Sequence, residues 1–218
     1  MESTKKLIIE IINFLNKNAK SYPEKKILKL LKNFPLTKKY YTYPNSNVPP
    51  KEKSLQKALS DKNSKTISLI KKTISDALPE LYWNIDNGSF YEKNSEVGVR
   101  YLNGNMNTEL IGPESGSFQS NELRLGLFLL EANIFYKDHQ HQAPELYINL
   151  TDNTLWRFGN SNWERRNAGS IIYNKPFQVH AMKINNDPFL SIWCWPYNSS
   201  NKCTLVPKKD WNEMEKNE

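Results

Sequence analysis

Apolar residues recur at helical spacing over the first eighty positions of this chain and at extended spacing over most of the rest, so helices and strands must share one fold. Leu7, Ile8, Ile11, Ile12 and Leu15 follow the helical period, with Ser3 placed to cap the helix they form. A second short helix starts near Pro23-Glu24 and presents Ile27, Leu28, Leu30, Leu31 and Phe34. A third puts Ile67, Ile70, Ile74, Ala77, Leu78 and Leu81 on one stripe, and the Tyr-rich residues 35–50 read as a connection ending in Pro49-Pro50. From about Val97 the pattern is extended. Leu123, Leu125, Leu127 and Leu129 alternate with Glu122, Arg124, Gly126 and Phe128, as in a half-buried strand. Shorter runs follow at 145–150, 154–158, 169–173, 177–182 and 188–195, separated by turn-forming clusters such as Thr151-Asp152-Asn153 and Gly159-Asn160-Ser161-Asn162. Many short strands at even spacing imply a sandwich or barrel. The expected organisation is a basic helical region over 1–82, a β-barrel over 83–205 and a polar tail over 206–218.

The chain holds three histidines, and all of them fall inside the extended part. His139 and His141 open the run His-Gln-His-Gln-Ala-Pro-Glu145, and His180 lies in Phe177-Gln-Val-His-Ala-Met182. The pattern is H-x-H-x3-E with a distant third His, a ligand set that a small antiparallel barrel can use to hold one divalent metal. His139, His141, Glu145 and Tyr147 all have odd numbers, so a regular strand sends all four to one face. Pro144 is the one residue that would mark a bulge. Four such groups on an apolar barrel face are costly without a shared partner, and a metal supplies one. Imidazole and carboxylate suit iron, manganese, zinc, nickel or cobalt better than calcium, and three imidazoles with one carboxylate leave positions open for a substrate. The simpler reading, two surface histidines and an unrelated third, leaves the shared spacing and the carboxylate unexplained.

Tyr147 follows the carboxylate by two residues. A nearby cation stabilises its phenolate and makes it a candidate general base for a carbon-bound proton. Tyr136 is the second candidate, although its even number points it away from the site unless the strand kinks near Lys137-Asp138. Trp193 and Trp195 share one face of the strand Leu190-Ser-Ile-Trp-Cys-Trp, where their ring faces could hold a cationic substrate group or simply fill the core. Cys194 in the same run reads as a small core residue, and two cysteines (with Cys203) do not make a disulfide framework.

The net charge of +7 conceals an asymmetry: residues 1–78 carry 17 Lys against 6 acids, or +11, and the remainder carries −4. Scattered lysines on the outer faces of short helices account for this without nucleic acid, since no Arg-rich recognition helix is present. No apolar run of about eighteen residues exists to span a membrane. Lys5-Lys6 before an apolar stretch lacks a following small-residue cleavage site, so an amphipathic helix is expected there and the cytoplasm is the expected location.

The stretch from Ile111-Gly112-Pro113 through Leu123-Arg-Leu-Gly-Leu127, then Tyr136-Lys-Asp-His-Gln-His-Gln-Ala-Pro-Glu-Leu-Tyr147, resembles the cupin-type dimethylsulfoniopropionate (DMSP) lyases. His180-Ala-Met-Lys and Pro188-Phe-Leu-Ser-Ile-Trp-Cys-Trp195 are similar to that family's closing strands, so the resemblance covers roughly residues 90–198. It implies a mainly β fold: a cupin, that is, a double-stranded β-helix or jelly-roll barrel, with an N-terminal α-helical region. It also implies a carbon–sulfur lyase whose metal, on His139, His141, Glu145 and His180, binds the substrate carboxylate. Tyr147, with Tyr136 as helper or rival, would take the proton alpha to that carboxylate. Dimethyl sulfide would leave, acrylate would remain, and Trp193 or Trp195 would steady the sulfonium. The competing expectations are another metal-dependent cupin enzyme, a dioxygenase or an isomerase, and a ligand sensor whose basic helices bind DNA. The helical region is expected to pack on the barrel or to build a homodimer contact.

Overall fold

The computed structural model describes residues 1–60, 65–197 and 201–216. Four helices come first: α1 (Glu2–Asn18), α2 (Tyr22–Asn33), α3 (Glu52–Ser60) and α4 (Lys65–Ala77). Most of the apolar stripes read from the sequence are buried: Leu7, Ile8, Ile11 and Leu15 of α1 pack against Ile67, Ile70 and Ile74 of α4 and Ile27 and Leu31 of α2, whereas Leu30, read as part of the apolar side of α2, is exposed. Ser21 caps α2 through a reciprocal capping box with Glu24. The third helix was expected to run on through Leu81, but Pro79 lacks the N–H a helix needs, and residues 78–80 form a 3-10 turn. The short helix α3, with Leu55 and Ala58 buried, lies in a stretch for which no helix was read.

Ser3 is not the cap of α1. That helix starts at Glu2, and its free N–H groups are met from across the chain by Glu80, whose carboxylate accepts from Thr4 N–H at 2.8 Å, Thr4 Oγ1 at 2.8 Å and Ser3 N–H at 3.3 Å. Burial pushes the Glu80 carboxyl up, but bonds from the Met1 ammonium, Thr4 and Ser3 outweigh it and hold the pKa at about 2, against 4.5 for a free carboxyl. A depressed carboxyl stabilises the fold above its unfolded pKa, and the contribution disappears as pH falls from about 4.5 toward 2. Glu80→Gln should therefore lower thermal stability at neutral pH by about 1 kcal/mol, the usual worth of a helix cap. The deficit should shrink as pH falls through 4.5 and be gone only below about pH 2, where the folded carboxyl is itself protonated; a deficit that persists undiminished there would assign the effect to packing.

The extended part begins later than Val97, because Val99–Gly104 forms a short helix, α5. The strands are β1 (Asn105–Gly112), β2 (Phe118–Gln119), β3 (Arg124–Leu130), β4 (Ile134–Gln140), β5 (Glu145–Asn149), β6 (Thr154–Phe158), β7 (Glu164–Arg166), β8 (Ile171–Asn174), β9 (His180–Ile184), β10 (Phe189–Trp195) and β11 (Thr204–Leu205). They form two facing sheets of a jelly-roll barrel, ordered β2-β1-β3-β10-β5-β8 and β11-β4-β9-β6-β7, antiparallel apart from the β1–β2 pair. Residues 211–216, expected to be part of a polar tail, form a last helix, α6, whose Trp211 packs edge-on to Phe135 of β4. Residues 217–218 of that tail lie outside the described residues. No helix among the described residues is long and apolar enough to cross a membrane.

β3 was expected to be half-buried, but all seven of its residues are buried. The period of two is real, with a different partner on each face. Leu125, Leu127 and Leu129 join Leu146, Ile148, Leu190 and Ile192 in one core with the helices, whereas Phe128 and Leu130 join Tyr147, Phe189 and Trp193 in a second core inside the barrel. The helical region therefore packs on the barrel, as the back wall of its larger sheet. Each leucine buried there contributes about 1.5–3 kcal/mol. Cys194 belongs to the helix-facing core, and both it and Cys203 are free thiols.

Candidate metal centre

β4 pairs with β9 as Tyr136↔Met182 and then His139↔His180, one residue more on β4 than on its partner. The extra residue is a bulge at Lys137-Asp138, and it reverses the alternation between Tyr136 and His139. Both of these side chains consequently line the same cavity despite their opposite parity. Lys137 and Asp138 turn to the outer layer instead. Lys137 Nζ meets Glu215 Oε1 at 2.8 Å, and Asp138 receives Arg157 Nη2 at 2.5 Å and Trp211 Nε1 at 2.8 Å. A single regular strand from His139 to Tyr147 does not form. β4 ends at Gln140 and residues 141–144 turn, yet His141 re-enters the cavity because its Nδ1 is tied to Ala143 O at 2.7 Å.

The three histidines are fastened alike. His139 Nδ1 bonds Lys137 O at 2.8 Å and His180 Nδ1 bonds Gln178 O at 2.8 Å, completing the pattern begun by His141. A carbonyl oxygen only accepts, so each Nδ1 carries a hydrogen and each Nε2 is the ring atom left as a ligand for a metal. One ring nitrogen from each His lies within 4.8 Å of the others, and all three residues are buried. Glu145 Oε2 stands 3.2 Å from His141 Nε2 and 3.6 Å from His180 Nε2. Burial and the neighbouring His180 and His141 push His139 well below its ordinary pKa, which keeps it neutral. Burial pushes Glu145 up, but the adjoining His141 and His180 rings outweigh it and hold the carboxyl far below its ordinary value.

This donor set fits a divalent transition metal. His180 Nε2 is fully buried and has no hydrogen-bond partner, which is a costly arrangement unless something electrophilic meets it. Three imidazole Nε2 atoms and one carboxylate supply that set, and the carbonyls behind each Nδ1–H are the outer partners that orient metal-binding imidazoles.

The cavity, about 540 Å³ counted with its open mouth, is walled by every residue that sequence reasoning named except His180, which closes the cluster from β9. Tyr147 lies edge-on to Trp156 with ring centroids 5.1 Å apart, and Tyr136 stands 4.4 Å from the His139 ring. Burial pushes both phenols well above their ordinary pKa, with Glu145 adding to the rise at Tyr147 and Cys203 to that at Tyr136. Trp193 and Trp195 both line the cavity, and the Arg124 guanidinium already stands 5.7 and 5.6 Å from their ring centroids.

Sequence reasoning missed a second group of residues, some lining the cavity and one, Tyr91, bonded to its wall. Tyr91 donates to the Tyr136 oxygen at 2.6 Å, Tyr101 stacks on Tyr136 at 4.6 Å and 2°, and the Tyr101 hydroxyl donates to buried Asp86 at 2.7 Å. Phe90, Asn107, Phe128 and Cys203 complete the lining. Residues 83–104 carry little regular secondary structure and so no period to read; the only local signal was their density of aromatic residues.

Comparison with known proteins agrees with this architecture. The profile of the dimethylsulfoniopropionate lyase family matches residues 24–191. The dimethylsulfoniopropionate lyase DddQ of Ruegeria pomeroyi is 28% identical over 86 residues, 39% of this chain and 42% of that protein, so the alignment spans less than half of the relative's length. The crystal structure of DMSP lyase DddQ from the same organism superposes with a TM-score of 0.67 at 18% identity, covering 94% of this chain and 96% of the other. A chain from the structures of the DMSP lyases RdDddP and RnDddQII gives 0.65 at 18% identity, covering 94% and 98%. At these identities the superpositions establish the fold.

Proposed function

Because the chain belongs to the dimethylsulfoniopropionate lyase family, we propose that it is a carbon–sulfur lyase that converts DMSP to dimethyl sulfide and acrylate at the cavity described above. The observation that carries the reading is the convergence of three Nδ1-fastened histidines and Glu145 on one buried point beside two tyrosines. His139, His141, Glu145 and His180 would hold one divalent transition metal. When bound, that ion would polarise the substrate carboxylate and offset the burial that keeps the neighbouring phenols protonated.

The chain's own residues have three tasks. Tyr147, on the same strand as Glu145 and two residues away, is the assigned general base for the proton alpha to the carboxylate. Acting as the phenolate, its own proton having gone to solvent, its oxygen takes that proton, the freed electron pair forms the carbon–carbon double bond, and the bond from the beta carbon to sulfur breaks. Tyr136, whose oxygen accepts from Tyr91, is the assisting phenol. Sulfur departs as a neutral sulfide and needs no proton, so no general acid is required. Trp193 and Trp195, with Phe128, form the apolar wall against which the dimethylsulfonio group would lie, and they exclude water from the reacting carbons.

The direct test is headspace dimethyl sulfide from purified protein given DMSP, beside a chelator-treated sample. Sulfide and acrylate in equal amounts, lost on chelation and restored by metal, is the expected result. Sulfide released equally by the stripped protein would sink the metal-dependent reading, and no sulfide with any of the five candidate metals would sink DMSP as the substrate.

A further inference from the structure

Glu145 is held from two sides. Oε2 faces the nitrogens of His141 and His180, while Oε1 accepts a hydrogen bond from Trp195 Nε1 at 2.9 Å. We propose that Trp195 is a positioning residue of the metal centre: its indole N–H engages one oxygen of Glu145 and thereby presents the other to the histidine cluster. The proposal rests on the metal-binding reading above and adds to it a residue outside the ligand set.

A carboxylate can turn about its last side-chain bond and offer a metal one oxygen or both. An N–H fixed on Oε1 removes that freedom and leaves Oε2 aimed at the cluster. Trp195 is itself buried and packed on two sides. Its ring lies 4.9 Å from the His141 ring at 31°, and it is Arg124's direct cross-strand partner in the β3–β10 pair. The Arg124 guanidinium, 5.6 Å from the Trp195 ring, is locked to Glu109 through Nη2 at 2.6 Å and Nε at 2.7 Å, and both residues are buried. Glu109 also accepts from Ser115 N–H at 3.1 Å.

The sequence makes room for this layer at two glycines. A Cβ on Gly112 would come within 2.5 Å of the Glu109 carboxylate, and one on Gly126 would meet Thr108 O at 2.3 Å and Trp193 Nε1 at 2.7 Å. Gly112 and the Leu123-Arg-Leu-Gly-Leu127 run thus acquire a purpose: they seat the buried Glu109–Arg124 pair beneath the two tryptophans. Trp193 is the built-in contrast, because its N–H goes to a backbone oxygen, Leu127 O at 3.3 Å, and not to a ligand.

The test is the affinity of the full chain for zinc or manganese alone, read by competition with a chromophoric chelator. Trp195→Phe keeps an aromatic ring and removes the donor. It should weaken binding about ten- to a hundredfold, as loss of an outer partner of a metal ligand does, whereas Trp193→Phe should bind like the unmodified protein. Unchanged affinity in Trp195→Phe, or equal losses in both variants, would overturn the proposal. If Trp195→Phe does not fold, the Trp195 indole N–H can be followed by nitrogen-15 NMR in otherwise unmodified protein and in Glu145→Ala. The signal should move upfield and exchange faster in Glu145→Ala; an unmoved signal overturns the assignment. Metal binding that depends on Trp195 in a protein that releases no dimethyl sulfide would support the positioning role and overturn only the substrate.

Discussion

A Tyr147→Phe protein is expected to keep its fold and its metal and to lose turnover by about 10²–10⁴-fold, the usual worth of a general base. The substitution removes one oxygen and leaves the ring, which packs edge-on to Trp156 and is 4% exposed. Tyr147 sits between Trp193 of β10 and Ile172 of β8 in the ladder, and those backbone pairings do not involve the phenol. Metal content and a thermal melt, measured beside turnover, separate chemistry from structure. Tyr136→Phe is the informative companion. Its oxygen accepts from Tyr91 and its ring stacks on Tyr101, so the phenol is shared within a network and its loss should cost less. The reverse ranking, with Tyr147→Phe near normal and Tyr136→Phe inactive, would move the base to Tyr136.

His141→Ala should abolish both metal content and dimethyl sulfide release. The residue supplies one of the converging nitrogens, stands 3.2 Å from Glu145 Oε2 and, through Nδ1, pins the 141–144 turn at Ala143 O. Its loss removes a ligand, loosens a second and frees the loop between them, so the effect should exceed that of a single coordinating bond. The fold should survive, because the helix-facing core contains none of the histidines and the Phe177 N–H to His141 O bond is made by backbone. Metal retained at full stoichiometry by His141→Ala would remove this residue from the centre.

The sequence made some of this legible and concealed the rest for identifiable reasons. Helical stripes at Leu7 to Leu15 and Ile67 to Ala77 were readable because one face of each helix is buried and the other is not. The strands were readable in position but β3 was misjudged in exposure: Arg124 and Gly126 look solvent-facing as residue types, yet one is buried in an ion pair and the other is forced by close packing. Strict alternation brought His139, His141, Glu145 and Tyr147 together on paper by assuming one straight strand. The structure brings them together by a bulge and a turn, and the bulge also admits Tyr136. The Asp86–Tyr101 and Tyr91–Tyr136 pairs join residues up to 45 positions apart, and local patterns carry no sign of such contacts. A still longer separation hid Glu80, which ends up capping a helix 76 residues earlier.

The sheet shared by the two cores has a mechanical corollary. On β5, Glu145 and Tyr147 reach into the cavity while Leu146 and Ile148 are gripped by the helices; on β10, Trp193 and Trp195 alternate in the same way with Ile192 and Cys194. Packed interiors do not compress, so a helix that shifts drags these strands with it. The aim of the reactive oxygens is thereby geared to the volume of side chains such as Ile11 and Ile70. Neutral-looking swaps on the far side of the molecule become a way to tune the rate without touching a residue that meets the substrate.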